Sequence, residues 1–199
     1  MPGKRQDYIG WDELFIAMAA EAAWRSKDPR TQNGACIVSA DHTEIAIGYN
    51  GFPKLKNKDN DEVFPWIGEG EEAMTERYKF VVHAERNCLD NAKFDLDGST
   101  LYLFSERGYY PCETCAQGIL SKGVSAVVMG FAAEGDNLGG SARYGNQAFA
   151  ATLKMFEAAE IKVRILGPDM ARYCYGLASR FLKVAAAVEA LHGAANEKC

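Results

Sequence analysis

Three apolar runs of strand length, STLYLF (99–104), SAVVMGF (125–131) and KVRIL (162–166), alternate with segments of helical period. Strands joined through an intervening helix pair in parallel, because a parallel pair needs a long crossover. The second half of the chain therefore predicts a parallel sheet covered by helices. GACIVSA (34–40) and EIAIGYN (44–50) are two further strands, and the polar turn at 41–43 between them predicts a hairpin. The expectation is an α/β fold with a five-stranded mixed sheet and helices on both faces.

The helices come from spacing. Residues 11–26 put Leu14, Phe15, Met18, Ala22 and Ala23 on one face, with Asp12 read as the N-cap and Asp28-Pro29 as the stop. Further helices are expected at 83–93, from Pro111 to 122, and at 146–160. The stretch 169–192 is a C-terminal amphipathic helix with Tyr173, Leu177, Phe181, Val184, Val188 and Leu191 aligned. Residues 53–79 form a long polar loop, anchored by Pro65-Trp66, and 134–146 is rich in glycine. With no repeat or linker, 1–199 is read as a single domain, with 169–199 as a helical extension.

Composition removes several function classes. The net charge is −5, and the short cluster of Lys54, Lys56 and Lys58 reads as a solvated loop face, so a polymeric nucleic acid is not expected as partner. No apolar run reaches bilayer length, and MPGKRQDYIG lacks the apolar core of a signal peptide, so no membrane is expected and the location is read as cytoplasmic. The six cysteines are then read as metal ligands or buried small apolar groups, not as a disulfide framework. Cys36 and Cys88 fall in the second class.

The chemistry sits in His83-Ala84-Glu85 and in Pro111-Cys112-Glu113-Thr114-Cys115. One imidazole and two thiolates supply three protein ligands, the number a catalytic zinc keeps when its fourth position is open to water. A structural site needs a fourth ligand, and neither His42 nor His192 lies near either motif. Glu85 then stands beside the metal as a proton carrier and does not ligate it. Pro111 suits a first helical turn, which would place both thiolates at a helix N-terminus where the helix dipole favours negative charge. Asn50-Gly51 taken alone is a common turn pair, and Arg25 taken alone is a cation at a helix end.

The pattern H-x-E…P-C-x-x-C is the signature of the zinc nucleobase deaminases. The stretch RSKDPRTQNGACIVSADHTEIAIGYNGFP (25–53), Tyr78 shortly before His83, and PCETCAQGILSKGVSAVV (111–128) make the resemblance narrower. From about residue 14 to residue 166 the chain resembles the deoxycytidylate (dCMP) deaminases. The resemblance implies a cytidine deaminase-like three-layer α/β/α sandwich with one Zn2+ per subunit, held by His83, Cys112 and Cys115. The implied activity is hydrolysis of dCMP to dUMP and ammonia with Glu85 as proton shuttle. Asn50 and Ala84 are carried over as substrate-binding residues, and Arg25, Ser26 and Lys27 as candidates for the phosphate. Tyr110 is placed at the base pocket as one of two adjacent loop tyrosines. The resemblance also implies a homo-oligomer, between dimer and hexamer, with dCTP and dTTP as allosteric effectors.

Three segments depart from the family pattern: 105–110 is longer than usual before Pro-Cys, 132–147 is unlike its counterparts, and 169–199 has none. They leave open a modified dCMP, a nucleoside or another small aminated heterocycle as substrate. A catalytically inactive, zinc-stabilised nucleotide-binding protein is the non-enzyme alternative, opposed by the intact Glu85. A tRNA-editing deaminase is opposed by the acidic charge and the 53–79 loop.

Overall fold

The computed structural model describes residues 3–64, 66, 76–106, 108, 110–131, 145–167, 169–170, 173–174 and 176. In chain order the elements are α1 (Trp11–Ala23), β1 (Asn33–Val38), β2 (Ile45–Tyr49), α2 (Asn60–Val63) and α3 (Ala84–Asn91). They continue with β3 (Thr100–Ser105), α4 (Glu113–Ser121), β4 (Ala126–Phe131), α5 (Gly145–Ala158) and β5 (Lys162–Leu166). The five strands form one sheet in the order β2-β1-β3-β4-β5.

β1 pairs antiparallel with β2 and β3, whereas β3–β4 and β4–β5 are parallel. The parallel steps are the ones joined through α4 and α5, as crossover connections require. Side chains alternate between the two faces of the sheet. Ala35, Ile37, Leu101, Leu103, Val127 and Met129 pack with Ala84, Cys88 and Leu89 of α3, Ala116 and Ile119 of α4 and Phe156 of α5. Cys36, Val38, Tyr102, Phe104 and Val128 face the opposite way, against Phe15, Ile16, Ala19, Ala20 and Ala23 of α1 and against Cys174. Burial on both faces explains why these strands read as continuous apolar runs.

The hairpin turns at 41–43, where His42 has φ 63° and Asp41 Oδ1 accepts from the hydroxyls of Ser39 and Thr43. Trp66 anchors its loop as expected: its ring stacks on Phe52 with centroids 3.9 Å apart, and its Nε1 donates to Asp61. Pro65 lies outside the described residues, as do 132–144 and most of the helix expected at 169–192.

Three details differ from expectation. The N-cap of α1 is Gly10, whose N–H is taken by the Glu13 carboxylate; Asp12 instead accepts from Tyr102 and pairs with Arg164 on β5. A carboxylate three residues into the helix can fold back over an extended glycine, which frees Asp12 for the sheet. The helix also ends at Ala23, before Asp28-Pro29, because Trp24, Arg25 and Ser26 turn back onto the carbonyls of Glu21, Ala22 and Ala23. Pro111 stands one residue before the N-cap of α4 and not in its first turn.

Candidate metal centre

His83 is the N-cap residue of α3 and Cys112 that of α4, both in extended backbone. The start of each helix is fixed by its next turn: Asn87 N–H bonds to His83 O, and Ala116 N–H to Cys112 O. Cys115 lies in the first turn of α4, so the two sulfurs and the imidazole meet where two helix N-termini point together. That field favours thiolates.

His83 Nδ1 is 3.4 Å from Cys112 Sγ and 3.5 Å from Cys115 Sγ, and all three donor atoms lie within 4.8 Å of one another. Zn–N and Zn–S bonds of ordinary length at a tetrahedral angle put nitrogen and sulfur about 3.6 Å apart. The donor set fits zinc in both chemistry and spacing. Its protonation agrees. A hydrogen bond from Cys115, then the neighbouring His83, lowers the Cys112 thiol to about 4 against the effect of burial. The hydrogen bond with Cys112 raises His83 to about 9, while the same Cys112 contact and burial hold the Cys115 thiol up. Protons thus sit where a divalent cation would displace them, since metal ligands bind deprotonated.

Glu85 follows two residues after His83, and burial raises its carboxyl above the ordinary value. That is the shift a proton carrier working near neutrality needs. α3 is seated on β2 by Asn87 Nδ2 to Tyr49 O (2.8 Å), Asn91 Nδ2 to Ile47 O (2.9 Å) and Cys88 Sγ to Ala46 O (3.3 Å). Gly48 makes this seat possible, because a Cβ there would stand 2.3 Å from the Cys88 nitrogen.

The antiparallel bridge between Gly51 and Val82 joins the end of β2 to the segment entering α3. Continued by one place, its register sets the Asn50 position opposite that of His83. Asn50 is buried, with Oδ1 accepting from Asn33 N (2.9 Å) and Nδ2 donating to Thr31 O (2.9 Å). One amide hydrogen and one lone pair are left over from these two bonds. Ser26 Oγ donates to Asn50 O at 2.8 Å, Lys27 pairs with Asp61 of α2, and Arg25 is exposed. Ala84 is buried at the start of α3. Tyr110 packs its ring 5.4 Å from that of Phe131, at the edge of the core.

Two buried polar residues close to these segments do not stand out in the sequence. Thr152 on α5 is fully buried and donates from Oγ1 to Pro111 O at 2.9 Å, next to Cys112. Its signal was a threonine in an otherwise apolar helix face. Arg77, buried in an ion pair with Asp28, carried no signal at all.

The family described as the cytidine and deoxycytidylate deaminase zinc-binding region matches residues 9–131, more than half of the chain. The chain belongs to this family. Human deoxycytidylate deaminase is 40% identical over 126 residues, covering 63% of this chain and 67% of the human protein. A probable deoxycytidylate deaminase of Drosophila melanogaster is 41% identical over 131 residues, covering 63% and 61% respectively. Among solved structures, dCMP deaminase from the cyanophage S-TIM5 in complex with dCMP and dUMP superposes with a TM-score of 0.56. It is 22% identical, covering 80% of this chain and all of the phage one, a likeness that establishes the cytidine deaminase-like fold. Membership in a zinc-binding family and the His83, Cys112 and Cys115 cluster together give this deaminase-family chain one zinc per subunit.

Proposed function

We propose that this chain hydrolyses dCMP to dUMP and ammonia. The observation that carries the reading is the cluster of His83 Nδ1 and two sulfurs at zinc spacing, with Glu85, whose carboxyl desolvation raises above its ordinary value, at the start of the same helix. The substrate follows from the deoxycytidylate deaminases that the chain resembles at about 40% identity. His83, Cys112 and Cys115 hold the zinc, which when bound supplies a water of lowered pKa. Glu85 accepts a proton from the attacking water, gives it to ring N3, and then serves the departing amine. Asn50 directs its remaining amide hydrogen and lone pair to the sugar or base. Ala84 borders that pocket, and Tyr110 walls it. Arg25, Ser26 and Lys27 form the side of the site that receives the phosphate. The same reading extends to a cytoplasmic homo-oligomer that responds to dCTP and dTTP.

Ammonia release is measured on dCMP, CMP, dCTP, deoxycytidine and 5-substituted dCMP, with zinc counted per chain. The expected result is turnover highest on dCMP. Glu85→Gln should keep its zinc and lose about 10²–10⁴-fold in kcat. Stoichiometric zinc without turnover of dCMP would overturn the substrate assignment.

A further inference from the structure

Asp28 and Arg77 form the one ion pair among the described residues in which both side chains are buried, 0% and 5% exposed, with N and O 3.5 Å apart. The pair joins the loop that follows α1 to the segment that leads into His83. Asp28 Oδ1 also accepts from the backbone N–H groups of Arg30 (2.9 Å) and Thr31 (3.3 Å), which winds the loop after Lys27 into a tight turn. The far side of that turn is held by Asn50, through Thr31 O and Asn33 N. Arg77 donates to Trp66 O (2.8 Å) and to Tyr78 Oη (3.0 Å), and it lies six residues before His83.

This pair is poorly suited to a purely stabilising role. Among the described residues, Asp28 Oδ2 and Arg77 Nε are both buried without a hydrogen-bond partner. A buried ion pair with unsatisfied atoms recovers little of its desolvation cost, so an apolar pair of similar volume would hold the fold as well. What the charges add is position. They fix where the 25–28 loop stands relative to the segment leading into His83 and Glu85.

We infer that Asp28 and Arg77 are positioning residues for nucleotide specificity. By clamping the 25–28 loop, they set the distance between the phosphate side of the site and the deamination centre, and so select a nucleoside monophosphate over a nucleoside. The inference rests on the deaminase reading above. Arg77 acts through the loop, because its terminal nitrogens are already engaged by Trp66, Tyr78 and Asp28.

The test uses Asp28→Asn, which retains an acceptor for Arg30 and Thr31 while removing the charge, and Arg77→Lys, which retains the charge while losing the fork. KM and kcat for dCMP, kcat/KM for deoxycytidine and zinc per chain are measured for both and for the double variant. Each single variant should raise KM for dCMP about tenfold, with kcat within about threefold and deoxycytidine unaffected. The double variant should be no worse than the worse single, as for two members of one clamp. An unchanged KM, additive losses, or a joint fall of kcat and zinc content overturns the inference. A wild-type chain that turns over neither substrate removes the deaminase reading, and this inference with it; normal wild-type turnover with unaffected variants removes this inference alone.

Discussion

A Cβ added at Gly48 would meet the Cys88 nitrogen at 2.3 Å, the Ala84 oxygen at 2.6 Å and the Cys88 Cα at 2.7 Å. All three are backbone atoms of α3, so no side chain can swing aside. Relief to an ordinary contact of 3.4 Å moves the helix away from β2 by about 1 Å. That shift stretches the Asn87, Asn91 and Cys88 bonds to β2 and carries His83 and Glu85 with it. Metal sites tolerate departures of about 0.2 Å in ligand distance, and His83 Nδ1 starts at 3.4 and 3.5 Å from the two sulfurs. Gly48→Ala should therefore cost about 3 kcal/mol through overpacking, or about 6–12 °C in Tm for a domain of this size. It should also lose zinc during dialysis and lower kcat on dCMP about 100-fold. Gly118→Ala on α4 is the control, since its Cβ meets only Leu89 Cδ1 at 3.5 Å; it should gain about 0.5–1 kcal/mol. Thermal melts, zinc per chain and ammonia release are read together. A Gly48→Ala protein with unchanged Tm, full zinc and normal turnover would refute the claim that α3 is seated against a bare backbone.

Thr152→Val keeps the shape but leaves the Pro111 carbonyl without its buried donor. It should cost about 1–3 kcal/mol and weaken zinc retention about 10–100-fold, measured by competition with a chelating dye; equal zinc affinity would dissociate α5 from the site. In zinc-stripped protein, iodoacetamide at neutral pH should label Cys112 first, because its thiol is lowered to about 4 while burial pushes Cys36 up to about 12. The thiolate persists down to that lowered value, so labelling should fade only as pH falls toward it. Peptide mass spectrometry that finds Cys36 labelled as fast as Cys112 would contradict the cluster's electrostatics.

The order of elements and the meeting of His83, Cys112 and Cys115 could be read from the chain because both are written in local spacing. The β–α–β alternation after residue 99 left a parallel arrangement for β3, β4 and β5, and the sheet has it. His83, Glu85, Cys112 and Cys115 stand at helix beginnings, where residue types and short intervals carry the information. The N-cap of α1 was misread because Gly10 has no side chain to announce a cap, and the capping carboxylate comes from Glu13. Arg77 lies in the polar stretch 53–79, where nothing local marks it. Its burial depends on Asp28, almost fifty positions earlier, and on the carbonyl of Trp66.

The sequence by itself determined a mixed α/β sheet and three ligands of zinc type with a carboxyl group beside them. Periodicity and motif spacing operate within a few residues and need no knowledge of the rest of the chain. Only the tertiary structure decided that Asn50 comes opposite His83, that Gly48 admits α3 to the sheet, that Thr152 holds the carbonyl before Cys112 and that Asp28 meets Arg77. Each of these is a contact between distant segments, created when the two faces of the sheet bury their apolar side chains and the polar groups left inside must find partners.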